Sequence, residues 1–130
     1  MSSFNTEKKD NYSLILCAVE KLDSTVSPDL KAEIVFLNGR GEKNMVIDLS
    51  GVKYIDSSGL SSILVANRLC KGTGGVLVIT GISDSVMKLI TISQLDTVIN
   101  IIQNPKEIED FIIMESIEND LLGDDEPKGE

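Results

Sequence analysis

The sequence predicts an α/β fold: an open, mixed but mostly parallel β-sheet with helices packed on it, in the order β-β-α-β-α-β-α-β-α. Three observations lead there. Short apolar runs of strand length, Leu14–Val19, Met45–Leu49 and Val76–Ile79, alternate with longer stretches whose apolar residues recur at helical spacing. Strands separated by helices pair in parallel through right-handed crossovers. An Asp10-Asn11 turn pair between the first two strand candidates adds one antiparallel hairpin at the edge.

Phe4–Lys9 and Ser13–Val19 form the hairpin, and the second strand is apolar throughout from Leu14, which places it inside the sheet. A loop over Glu20–Ser27 leads to a helix that Ser27 caps and Pro28 opens, with Leu30, Ile34 and Leu37 on one face. Asn38-Gly39-Arg40-Gly41 ends it with residues that tolerate positive φ. Met45–Leu49 is a third strand, apolar enough to be buried on both faces. A helix from about Ser58 to Lys71 sets Leu60, Ile63 and Leu64 at helical spacing, and Lys71-Gly72-Thr73-Gly74-Gly75 closes it. Val76–Ile79 is the fourth strand, and Ser83 or Asp84 starts a helix carrying Val86, Leu89 and Ile90. Val98–Ile102 is a short last strand. Pro105 opens a final helix through about Ile117, with Ile108, Phe111, Ile112 and Glu115 along it. No internal repeat stands out.

At 130 residues the chain is long enough for one core. One domain is expected over residues 1–117, followed by a tail over 118–130. That tail holds six acids and one lysine, hence −5 of the net −9, together with Gly123, Pro127 and Gly129; it is expected to be disordered. The acidic body, with few aromatics, argues against nucleic-acid binding, which needs clustered Lys and Arg. Histidine is absent, which removes the commonest general base and metal ligand. Cys17 and Cys70 lie in apolar segments without ligand spacing and are expected to be buried thiols, not a disulfide or a metal site. No cofactor is expected. The N-terminus lacks the charged-then-apolar pattern of a signal peptide, and no run reaches the roughly 18 apolar residues of a membrane span. A cytoplasmic protein with no membrane insertion is the expectation.

Two stretches invite a chemical reading. Lys71–Gly75 is glycine-rich, but it runs from helix to strand, so no helix N-terminus points into it, and no Gly-Lys-Ser/Thr follows. It is a cap and a tight turn. Tyr54-Ile55-Asp56-Ser57-Ser58-Gly59-Leu60-Ser61-Ser62 sits between the third strand and the second helix, at the C-terminal end of a parallel strand, where sites of such sheets lie. A serine nucleophile there would need a base; with no histidine and no Gly-x-Ser-x-Gly, the chain is not expected to be an enzyme. Asp56 or Ser57 can cap the helix. The same position suits a phosphate, whose added charge of about −1.5 to −2 meets the positive end of the helix dipole and its N–H groups. Gly59 in the first helical turn costs about 0.5–1 kcal/mol relative to Ala, so it invites a reason, and close approach by another chain is one. Cap and phosphate acceptor both fit the residues.

Val46–Leu60, and above all Asp56-Ser57-Ser58-Gly59-Leu60, resembles the signature of STAS domains, in particular the bacterial anti-sigma-factor antagonists. The similarity continues through Gly74–Ile79, Ile82-Ser83 and Leu95, and upstream at Leu22-Asp23 followed by Ser24 and Thr25. It covers about residues 12–115 and has no counterpart for the tail. The resemblance implies a binding module whose partners are an anti-sigma factor serine kinase and a serine phosphatase. By the same resemblance Ser57 is the phosphorylated serine and Asp23 the acidic neighbour. Asp56, Ser58, Gly59 and Ser61, with Asp23 at the rim, are then expected in the partner interface, Ser61 lying four residues after Ser57 on the same helical face. A STAS-type accessory subunit of a transporter or signalling complex, without phosphorylation, is the alternative, and a nucleotide- or lipid-sensing domain a third.

Overall fold

The computed structural model describes residues 3–125. Its central sheet has five strands in the order β1 (Phe4–Lys8), β2 (Ser13–Cys17), β4 (Met45–Asp48), β6 (Leu77–Thr80) and β7 (Asn100–Ile101). β1 pairs with β2 antiparallel, in register Phe4↔Cys17, and every other pairing is parallel. The expected hairpin edge and parallel interior are therefore both present. Two further strands of two residues each, β3 (Lys21–Leu22) and β5 (Tyr54–Ile55), make a separate parallel pair inside what the sequence offered only as loops.

Alternation along the strands sorts side chains between two layers. Ile15, Cys17, Met45, Ile47, Leu77 and Ile79 point to one face. There they pack with Leu30, Ile34 and Leu37 of α1 (Ser27–Gly39), Ile63, Ala66 and Cys70 of α2 (Ser57–Gly72), and Val86 and Ile90 of α3 (Asp84–Ile92). Val46, Val76 and Val78 point to the other face, which Ile108 and Ile112 of α4 (Pro105–Asp125) cover. β4 is thus buried on both sides. Cys17 and Cys70 are free and buried, and burial pushes both thiols up to about 12.

Four expectations need correction. Ser27 does not cap α1: its hydroxyl donates to the Asp23 carbonyl (2.7 Å), and Val26 occupies the cap position without a side-chain bond. The buried stripe of α2 runs through Gly59, Ile63, Ala66 and Cys70, with Ser62 and Asn67 also buried, while Leu60 and Leu64 are only half-buried. Small residues let this helix lie close to its neighbours. The last strand is only Asn100–Ile101, because Leu95–Thr97 forms a 3-10 turn entered through Gln94 at φ 64°. Finally, the last helix does not end near Ile117: α4 continues to Asp125, and Asn119 donates to the Gly74 carbonyl (2.8 Å), tying the extension to the body. The expected tail beyond residue 125 lies outside the described residues.

Gly75 explains its own identity in the Lys71–Gly75 turn. A Cβ there would run into the Lys43 carbonyl, and Gly74 beside it has φ 83°. The turn is structural.

Candidate functional site at the start of α2

The site is built from two pentapeptides of the same pattern, Lys21-Leu22-Asp23-Ser24-Thr25 and Tyr54-Ile55-Asp56-Ser57-Ser58. Their first two residues are β3 and β5, paired in parallel with Lys21 opposite Tyr54 and Leu22 opposite Ile55. Leu22 and Ile55 are buried, so each dipeptide is pinned by its apolar residue. The Asp56 N–H continues the ladder onto the Leu22 carbonyl (3.3 Å). The two aspartates are thereby delivered side by side, close enough for the charge of Asp56 to act on Asp23.

Each aspartate then folds the chain by the same device, an Asx turn in which a carboxylate accepts from the residue two positions on. Asp23 Oδ1 accepts from the Thr25 N–H (3.0 Å) and hydroxyl (2.6 Å). Asp56 Oδ1 accepts from the Ser58 N–H (3.0 Å) and hydroxyl (2.8 Å) and also from the Gly59 N–H (3.0 Å). Asp56 is therefore the cap of α2, and Ser57 is the first helical residue. The expected start at Ser58 moves back by one residue.

These bonds favour the ionised carboxylates. The Thr25 hydroxyl and N–H hold the Asp23 carboxyl below the usual carboxylate range, and the Gly59 N–H and Ser58 hydroxyl do so for Asp56, with the Ser24 N–H assisting. Ser58 and Ser27 close the gap between the turns through their hydroxyls (3.4 Å).

Of the residues expected in an interface, Asp23, Asp56, Ser58 and Ser61 are half-buried and Ser57 is exposed. The Ser57 hydroxyl makes no hydrogen bond with the described residues. Gly59 is different. It is buried, and a Cβ at this position would strike the Leu22 carbonyl and approach Ile55 Cγ1 at 2.6 Å. The close approach that requires glycine is internal, by the neighbouring turn, and not by another chain. Of the N–H groups expected to meet a phosphate, those of Ser58 and Gly59 are taken by the Asp56 carboxylate. Leu22 and Ser27, which shape the site from beneath, were not read as site residues from the sequence; for Leu22 the shared pentapeptide pattern was the available signal.

Chemically the site offers a solvent-facing hydroxyl at a helix N-terminus beside two ionised carboxylates. Both carboxylates use Oδ1 as the turn acceptor. Among the described residues no cluster of three acidic, cysteine or histidine side chains is arranged to hold a metal ion, and no helix is long and apolar enough to cross a membrane.

Known proteins share this architecture. The STAS domain family model matches residues 3–108. BtrV of Bordetella bronchiseptica, a protein proposed to be an anti-sigma factor antagonist, is 30% identical over 88 residues, which cover 68% of this chain and 76% of BtrV. A serine-to-glutamate variant of Moorella thermoacetica RsbS superposes with a TM-score of 0.70 at 25% identity, over 85% of this chain and 95% of that one. The phosphorylated form of the Bacillus cell fate determinant SpoIIAA superposes at 0.65 with 18% identity, over 83% of this chain and 98% of that one. With the paired turns, the five-stranded sheet and the family match in agreement, the chain belongs to the STAS domain family, among the anti-sigma factor antagonists.

Proposed function

We propose that this protein is a charge-gated binding module of the cytoplasm, which binds an anti-sigma factor serine kinase when Ser57 is unmodified and releases it when Ser57 is phosphorylated. A serine phosphatase resets it. The observation that carries the reading is the exposed Ser57 hydroxyl on the first residue of α2, flanked by Asp56 and Asp23. A foreign active site can reach it without unfolding any element. That SpoIIAA has been solved in a phosphorylated form supports a phosphate in this fold.

The geometry also supports the sign of the gate. Asp56 already satisfies the N–H groups of Ser58 and Gly59, so a phosphate on Ser57 gains mainly from the helix dipole and turns outward. It adds about −1.5 to −2 charge to a surface that holds two carboxylates. Lys21 is the cation acting on Asp23 there, and Lys53 is paired with Glu20 (3.8 Å). A partner seated on this surface would have to desolvate three anionic groups. A hundredfold loss of affinity requires about 2.7 kcal/mol, within reach of such a change.

The test is to incubate the protein with its cognate anti-sigma factor kinase and ATP, and to map the phosphate by mass spectrometry. Modification is expected at Ser57. Ser57→Ala is expected to keep kinase binding and block modification, and Ser57→Asp to weaken binding about tenfold or more. A phosphate found elsewhere, with Ser57 untouched, overturns the assignment.

A further inference from the structure

The outer face of α4 has no part in the switch. α4 covers the sheet face opposite α2, so its solvent side looks away from Ser57. Ile108 and Ile112 face the sheet and are buried. Met114, Ile117 and Leu121 lie on the opposite side and are 58%, 49% and 65% exposed, with Ile113 beside them. Three apolar side chains about half or more in water, on one helix, form a stripe and not a scatter.

Their spacing is informative. Met114, Ile117 and Leu121 stand three and then four residues apart, the a, d, a positions of a heptad. In that frame Glu118 is e and Asp120 is g, both exposed, and Glu115 and Asn119 fall on the inward side, where Asn119 bonds the body. The apolar seam therefore has an acidic residue on each flank. Over Pro105–Leu121 the helix carries six acids and only Lys106 as a base.

The charge decides what can cover this seam. A second copy would bring acidic flanks against acidic flanks. An anionic membrane surface would repel it. A partner helix with an apolar seam and Lys or Arg at its own e and g positions meets both requirements. We infer that the outer face of α4 is a second docking surface, for a basic amphipathic helix of another protein, and that it works independently of the state of Ser57.

The probe is a synthetic helical peptide with Leu at a and d and Lys at e and g, titrated at physiological ionic strength by fluorescence anisotropy. Two controls accompany it: the same peptide with Glu at e and g, and a scrambled Lys peptide of equal composition. The patterned Lys peptide is expected to bind, and both controls to bind at least about tenfold more weakly. Ile117→Ser with Leu121→Ser is expected to abolish binding while far-UV circular dichroism and the denaturant midpoint stay unchanged, since these side chains are exposed. Glu118→Lys with Asp120→Lys is expected to reverse the preference towards the Glu peptide. Equal binding of the scrambled peptide, no binding of any peptide, or no reversal by the charge swap overturns the inference. So does sedimentation of the wild type as a dimer that Ile117→Ser and Leu121→Ser dissociate, because a second copy then covers the seam.

Discussion

The turns at Asp23 and Asp56 are built alike and do different things. Both place a carboxylate oxygen on the N–H and hydroxyl of the residue two positions on, and both leave an exposed serine in the middle, Ser24 or Ser57. They differ in the element each one leads into. Asp56 reaches one residue further, to the Gly59 N–H, and so caps a 16-residue helix directly. Asp23 closes only its own turn, and α1 begins four residues later with no side-chain cap. Exposure and Asx geometry therefore do not distinguish Ser57 from Ser24; position on the axis of a long helix does. The proposed switch serine is thus set apart by the element behind it and not by its immediate neighbours.

The largest way to break this arrangement is at Gly59. An added methyl would meet the Leu22 carbonyl, itself held by the Asp56 N–H, so relief of the clash pulls the two turns apart. Helix propensity favours Ala over Gly by up to about 1 kcal/mol, whereas overpacking of this kind costs about 1–3 kcal/mol. Gly59→Ala is expected to be destabilised by about 1 kcal/mol net in urea unfolding, opposite in sign to an ordinary exposed helix glycine. A stabilised variant would mean that the Leu22 turn yields freely and that the two pentapeptides are not coupled.

A smaller change sharpens the contrast between the turns themselves. Asp56→Ala removes the acceptor of two helix N–H groups and of the Ser58 hydroxyl, and is expected to lower the melting temperature by several degrees. Asp23→Ala removes one N–H acceptor and one hydroxyl contact, while the Asp23 carbonyl still receives Val26, Ser27 and the Ser27 hydroxyl. Its melting temperature should fall by clearly less. Equal losses would show that the helix cap contributes nothing beyond the local turn.

How much of this was legible in the sequence depends on length scale. Runs such as Leu14–Val19 and Val76–Ile79 carry enough residues for their period to show, and the element order and mixed sheet followed from them. Lys21-Leu22 and Tyr54-Ile55 have no period to detect, so the pair that joins the two turns was invisible except as a repeated pentapeptide. The stripe of α2 was misplaced because Gly59 and Ala66, small and buried, counted for less than the larger Leu60 and Leu64. The end of α4 was cut short because acids and a glycine after Ile117 look like a tail; the helix continues with Asn119 anchored to Gly74. For the site, Asp56, Ser57 and Ser58 stood in the motif itself, but whether Gly59 faced a partner or the fold required coordinates.

The smallest expected effect separates the charge of the two aspartates from their shape. Both carboxyls sit below the usual range in the folded protein, Asp23 through Thr25 and Asp56 through Gly59 and Ser58. In the window between their folded values and the ordinary value near about 4, the unfolded chain binds more protons than the folded one. Stability from these groups is therefore present above that window and is lost as the pH falls through it. Asn at either position keeps a capping oxygen but cannot titrate. Melting curves recorded on descending pH should fall less steeply for Asp56→Asn than for the wild type, and only slightly less steeply for Asp23→Asn, because Asp56 accepts from more donors. If Asp23→Asn flattened the acid limb as much as Asp56→Asn, the two turns would be electrostatically equivalent, and the distinction between them would rest on the helix alone.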